Sequence, residues 1–315
     1  MFDTFVIVDW SAANQPKTGA DSVWMCCVDT NSERLVNPPT RLAAREILAD
    51  WLAAAHAAGR RVLLGFDFPF GYPAGFAARL GLRGPAWRAV WDEIATSIED
   101  DARNRNNRFA VAADFNRRIS GGAFPFWGSP AALAGPNLGI KHHRQHEELG
   151  LAERRLIDLY VPATQPCWKL LGTGSVGGQA LTGIPVARVL RDDPRWAATA
   201  RVWPCETGLR PPDPDMKLVM AEIYPSLWRI RPAAGEPKDA AQVRDLARFL
   251  AGRHRAGELP RLFKADPGLS AAQRAVVEGE EAWTLGVTVP RPGRLPLDDA
   301  APCDTAGLRD ALAPE

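Results

Sequence analysis

FVIVDW (5–10) and RVLLGFDFPFG (61–71) decide how this chain folds. Each is an apolar, strand-forming run closed by a carboxylate, Asp9 in the first and Asp67 in the second. β-Branched and aromatic residues suit a buried, pleated strand, whereas an ionised acid at its end is costly unless something neutralises it. One such acid reads as a turn or a cap. Glu222, in the similar run KLVMAEIYP (217–225), makes the set read as a site assembled from neighbouring strand ends. Carboxylates gathered in one place repel, so they share a proton or hold a cation.

The flanking sequence supplies the rest of a sheet. DSVWMCCVDT (21–30) reads as a second strand, after the turn residues Asn14, Pro16 and Gly19, and ERLVNPP (33–39) as a short third. RLAAREILADWLAAAHAA (41–58) has helical periodicity and stops before Gly59, a helix-ending glycine. Three strands, a helix and a fourth strand allow a crossover that lays the fourth parallel to the first. As neighbours, those two strands bring Asp9 and Asp67 to one sheet edge, where a single ion can bridge them. The class is α/β.

Residues 70–200 are rich in Gly and Pro, with helical stretches at 86–101, 108–119 and 145–159, and read as a large, mainly helical insertion or lid. Strand patterns return at RVWPCE (201–206) and 217–224, followed by helices at 238–254 and 271–287. The organisation is therefore a core in two parts, 1–69 and 201–289, an insertion at 70–200, and a loosely ordered tail at 290–315 rich in Pro, Asp and Ala.

A formal net charge of +1 gives no global field for nucleic acid or membrane, so any such binding must come from a local patch. Five cysteines, without CxxC spacing, argue against a disulfide scaffold or a zinc site and for a reducing, cytoplasmic setting. Adjacent Cys26 and Cys27 point to opposite faces of their strand. The N-terminus lacks the pattern of a signal peptide, and no run approaches the ~18 apolar residues of a membrane span.

Asp9, Asp67 and Glu222, joined by Asp239 or Asp245 on the helix 238–254, offer four oxygen donors of the kind that suits Mg²⁺ or Mn²⁺. Two such ions ~4 Å apart activate water and stabilise the leaving oxygen of a phosphodiester. Arg244, Arg248 and Arg253 suggest that Asp245 lies on an ion-paired face. Over 102–155, nine Lys or Arg face four acids, with Phe109, Phe115, Phe124, Phe126 and Trp127 interleaved. That mixture suits single-stranded nucleic acid or a nucleotide, or else a solvated helix face over a core. Gly172, Gly174 and Gly177 form a GxGxxG, but PCWKLL before it is a poor strand, and Gly183 with Pro185 interrupts the helix after it. The loop reads as a flexible segment whose N–H groups touch substrate phosphate. His142, His143 and His146 read as an exposed polar stretch, and no serine sits in a G-x-S-x-G elbow.

Taken in order, VDWSAAN (8–14), GFDFPFG (65–71), AEIYPSL (221–227) and PKDAAQVRDLA (237–247) resemble the predicted ribonuclease-H-fold nucleases of domain-of-unknown-function family 429. GTGSVGGQALTGIP (172–185) and RVWPCETG (201–208) resemble a narrower branch, some of whose members are labelled molybdopterin-guanine dinucleotide synthesis proteins. No GxxxxGK loop supports nucleotidyl transfer here. The resemblance implies a ribonuclease-H-like mixed sheet flanked by helices, with Asp9, Asp67 and Glu222 as metal ligands. The family's helix acid falls where this chain has Gln242, so Asp239 and Asp245, each three residues away, are the substitutes. The expected activity is divalent-metal-dependent phosphodiester hydrolysis on nucleic acid or a nucleotide-like phosphate. The alternatives are an actin-like enzyme handling ATP or a phosphometabolite, or a non-catalytic binding module of the same fold.

Overall fold

The computed structural model describes residues 1–142, 146, 149–161, 163–228 and 230–289; the expected loose tail, and Cys303 within it, lie outside the described residues. The strands are β1 (Thr4–Asp9), β2 (Trp24–Asp29), β3 (Glu33–Val36), β4 (Val62–Phe66), β5 (Ala200–Trp203) and β6 (Leu218–Glu222). They form one six-stranded mixed sheet in the order β3-β2-β1-β4-β6-β5. β1, β2 and β3 are an antiparallel meander, and β4, β6 and β5 run parallel to β1. The helix α1 (Arg41–Ala57) makes the crossover from β3 to β4. Thr40 caps it, its hydroxyl accepting the Ala43 N–H at 3.2 Å. At Gly59 the chain turns with φ +67°, a conformation open to glycine.

Strand alternation divides the core into two layers. Val6, Val8, Leu64, Phe66 and Met220 face one layer; Phe5, Ile7, Leu63, Val219 and Ala221 face the other. Cys27 joins the first layer and Cys26 the second, the opposed placement expected of neighbours on a strand. The first layer is covered by α1, α2 (Phe76–Arg79), α3 (Ala86–Ser97), α4 (Arg108–Ser120) and α6 (Val176–Arg191). The second is covered by α7 (Lys238–Arg255) and the short α5 (Leu156–Tyr160). Residues 70–200 share the sheet's own core: Phe109, Phe115, Phe126 and Trp168 pack in the first layer beside the strands.

Four expected elements differ: of the helix expected at 145–159, the described residues carry only α5 (Leu156–Tyr160), 149–155 being irregular. α6 runs unbroken through Gly183 and Pro185, because Gly183 lets it pack onto Phe68, whose ring lies 2.3 Å from where a Cβ would stand. The helix expected at 271–287 is only α8 (Ala271–Val276) and a π turn over Val277–Glu281, stopped at Ala282, whose φ is +60°. The expected strand 201–206 stops at Trp203, since Pro204 has no N–H to give a ladder.

Candidate active site

β1 and β4 are hydrogen-bonded neighbours with Val8 level with Phe66, so the next residues, Asp9 and Asp67, emerge side by side on one face. The backbone then fixes Asp67, whose Oδ1 accepts the Trp10 N–H at 2.7 Å. Gln179 of α6 donates to the Trp10 carbonyl at 2.5 Å, tying the same turn to the insertion. The two carboxyls lie close enough for one proton to be shared between them. Burial, and then the Asp67 charge, raise the Asp9 carboxyl well above the ordinary range. Burial also pushes Asp67 up to about 6, against the opposing pull of its hydrogen bonds from Asp9 and the Trp10 N–H. Both carboxylates are half-buried and keep contact with cleft solvent, which screens part of their repulsion.

They form the floor of a cleft of about 740 Å³. One wall is the loop after β1, with Ser11, Asn14, Lys17 and Asp21; the opposite wall is the glycine-rich segment 172–175 leading into α6. Arg108 and the first turns of α7, with Asp239 and Gln242, complete it. Asp239 Oδ2 accepts the Asp21 N–H at 2.7 Å and so holds Asp21 in the left-handed region, φ +53°. Its charge adds to the upward push on both Asp9 and Asp67.

Glu222 is not part of this cluster. In the parallel ladder it is level with Phe66, one residue short of Asp67, so alternation sends it to the opposite face. It lines an adjoining pocket of about 160 Å³ that shares Asp67, Gly174, Gln179 and Gln242 with the cleft, and its own oxygens are fully satisfied. Arg155 grips it with Nη1 to Oε2 at 2.7 Å and Nη2 to Oε1 at 2.8 Å. The Phe70 N–H and the Thr284 hydroxyl add bonds of 2.8 and 2.9 Å. Asp158 takes the rest of the guanidinium at 3.2 Å, leaving a closed, buried ionic network. The reading of Glu222 as a metal ligand is corrected accordingly: its oxygens are committed to a guanidinium.

Asp245 is also excluded. It lies about 120° around the helix axis from Asp239, whereas Gln242 is only about 60° away. Its carboxylate accepts from Arg244 at 2.7 Å and from the Arg231 N–H at 3.1 Å. Among the described residues, no group of three or more His, Cys, Asp and Glu side chains forms a metal-holding cluster. What converges is a carboxyl pair, with Asp239 across the cleft from it.

Part of the insertion's positive charge is neutralised. Arg105 pairs with Asp101 at 2.7 Å, Arg117 with Asp114 at 2.6 Å, and Arg118 with Glu93. Phe109, Phe115, Phe124 and Phe126 are buried in the core, and of the interleaved aromatics only the half-buried Trp127, with Lys169 Nζ 5.7 Å over its ring, remains within reach of solvent. His146, expected on an exposed stretch, is buried against Phe124, while His143 lies outside the described residues. Glu206, just beyond β5, is paired with Arg191 at 2.5 Å and accepts the Val202 N–H at 2.8 Å. Two residues that define the site stand in the sequence only as members of that basic run: Arg155, which removes Glu222, and Arg108, which lines the cleft. Nothing in their local spacing sets them apart, because their partners lie in distant elements.

No protein-family model, curated protein or solved structure matches this chain.

Proposed function

We propose that this cleft hydrolyses a phosphodiester with Mg²⁺ or Mn²⁺ held by Asp9 and Asp67. The observation that carries the reading is the close carboxyl pair on the cleft floor, with no ion pair to either member among the described residues. Mg²⁺ is commonly bound by one or two carboxylates, waters and substrate phosphate, so the pair fits it without a four-acid cage. A bound ion supplies a more acidic water and polarises the phosphoryl oxygens. Asp9 and Asp67 would hold the ion with both carboxyls ionised, and Asp239 would accept a proton from water in the cleft. The Trp10 N–H and the Gln179 amide hold the turn that aims Asp67. With Glu222 and Asp245 committed elsewhere, one ion is supported in place of two.

We further infer a ribonuclease-H-like core and membership of family 429, on the strength of the antiparallel meander, the crossover helix and the parallel β4 that bears the second acid. A compact phosphorylated molecule, such as a nucleotide, suits the cleft better than a nucleic-acid strand, since Arg105, Arg117 and Arg118 of the insertion are paired and its phenylalanines buried. The test is hydrolysis of bis(4-nitrophenyl) phosphate with Mn²⁺, Mg²⁺ or EDTA. Asp9→Asn and Asp67→Asn are expected to lose roughly 100-fold or more, while Asp245→Asn keeps full activity. Metal-dependent turnover that survives in Asp9→Asn would overturn the assignment.

A further inference from the structure

Arg108 is a buried cation without a counter-ion. It opens α4 and is only 4% exposed. Its Nη1 donates to neutral side chains alone, to Asn106 Oδ1 at 2.9 Å and to Asn14 Oδ1. Its Nε is buried with no partner, and among the described residues Arg108 makes no ion pair. Asp100, the nearest acid it feels, is held by Arg41, whose Nε and Nη2 reach its two oxygens at 2.5 and 2.7 Å. Burial, and then the Arg41 charge, push the Arg108 pKa down to about 10, which leaves it protonated at neutral pH. The Phe109 ring face, 4.3 Å from its Cζ, offers partial compensation. A buried charge left this way is expensive.

Its surroundings raise the cost. A Cβ on Gly178 would lie 3.3 Å from Arg108 Nε, so the guanidinium rests on the first turn of α6 at a place that only a glycine leaves open. That turn is the positive end of a sixteen-residue helix. Ser175 is its N-cap and makes no capping hydrogen bond. Lys169 reaches the same loop, donating to the Thr173 carbonyl at 2.6 Å. Gly174 and Ser175 line the same cleft as Arg108 and the carboxyl pair. Two sources of positive potential converge there, and among the described residues no acid is paired with either.

We propose that Arg108 and the N-terminus of α6 form a phosphate-binding subsite, which takes the phosphoryl oxyanion of a small phosphorylated substrate. Glycine at 177 and 178 lets the segment 167–170 pack onto the first turn of α6, since Cβ atoms there would stand 2.2 Å and 3.0 Å from the Cys167 and Leu170 carbonyls. This deepens the hydrolase reading and rests on it for the word substrate, but the binding of phosphate itself does not require the metal.

The experiment is thermal unfolding in EDTA with inorganic phosphate as probe and chloride at equal ionic strength as control. At about ten times its Kd, phosphate should raise the Tm of the wild type by roughly 2–3 °C. Arg108→Gln should abolish that rise. Ser175→Asp should abolish it too while raising the basal Tm, because an N-cap carboxylate satisfies the helix end and occupies the anion's place. The second variant keeps the test informative if Arg108→Gln folds poorly. Asp9→Asn should keep the phosphate response and lose only the Mn²⁺ response, so subsite and metal site fail separately. A wild type indifferent to phosphate, or a Ser175→Asp variant that responds as the wild type does, would overturn the subsite.

Discussion

Replacing Asp9 by Asn should stabilise the metal-free protein at neutral pH, the reverse of what removing a buried charged group usually does. Burial lifts Asp67 from 3.8 to about 6, and Asp9 is raised with it, so the folded protein keeps a proton that the unfolded chain releases. The sign follows from linkage: where the native state binds more protons, stability falls as pH rises. The loss begins at about pH 4, passes the Asp67 midpoint at about 6, and continues upward until Asp9, raised well above the ordinary range, gives up its proton. A rise of two units at about 1.4 kcal/mol each would be ~3 kcal/mol for a fully enclosed pair. Contact with cleft solvent reduces this to about 1–2 kcal/mol. In Asp9→Asn the amide donates to Asp67 as the shared proton does, but at every pH. At pH 7.5 in EDTA the variant should therefore melt roughly 2–5 °C above the wild type, and the two should coincide near pH 4.5. Adding Mn²⁺ should reverse the order, since only the wild type gains binding energy. Calorimetric melts from pH 4.5 to 8, with and without Mn²⁺, read all three arms. A variant less stable than the wild type at pH 7.5, or one with the same pH slope, would refute the shared-proton argument.

Arg155→Met should cost about 3–5 kcal/mol in urea unfolding, because it strands Glu222 and Asp158 in the core; a loss under 1 kcal/mol would mean that the network is open to water. Gly183→Ala sets a helix-propensity gain of ~1 kcal/mol against overpacking of about 1–3 kcal/mol on the Phe68 ring. A net loss of ~1 kcal/mol and a weaker Mn²⁺ response are expected, since Phe68 adjoins Asp67; a more stable variant would show that the ring yields freely.

The meander, α1 and β4 are legible along the chain because their signals are local. Alternation in FVIVDW, helical spacing in 41–58 and the glycine at 59 each act within a few residues, and the short crossover makes β1 and β4 neighbours. Asp9 and Asp67 follow from that adjacency. Glu222 carries the same local signal and a different fate. It too closes an apolar strand, yet a one-residue difference in ladder register turns it to the other face, and register is set by pairing partners. The choice between Asp239 and Asp245 likewise depends on which side of α7 meets the sheet. Gly183 and Pro185 look like breaks in isolation and lie within a continuous helix, because packing against Phe68 outweighs propensity.

By itself the sequence determined an α/β chain in which two strand-end aspartates share one edge, since strand and turn preferences are properties of short segments. Only the tertiary structure decided which charges are spent and which are free. Arg155 meets Glu222 across 67 residues, while Arg108 is paired with no acid among the described residues. Ion pairing depends on distance in space, and no pattern along the chain encodes that for residues so far apart.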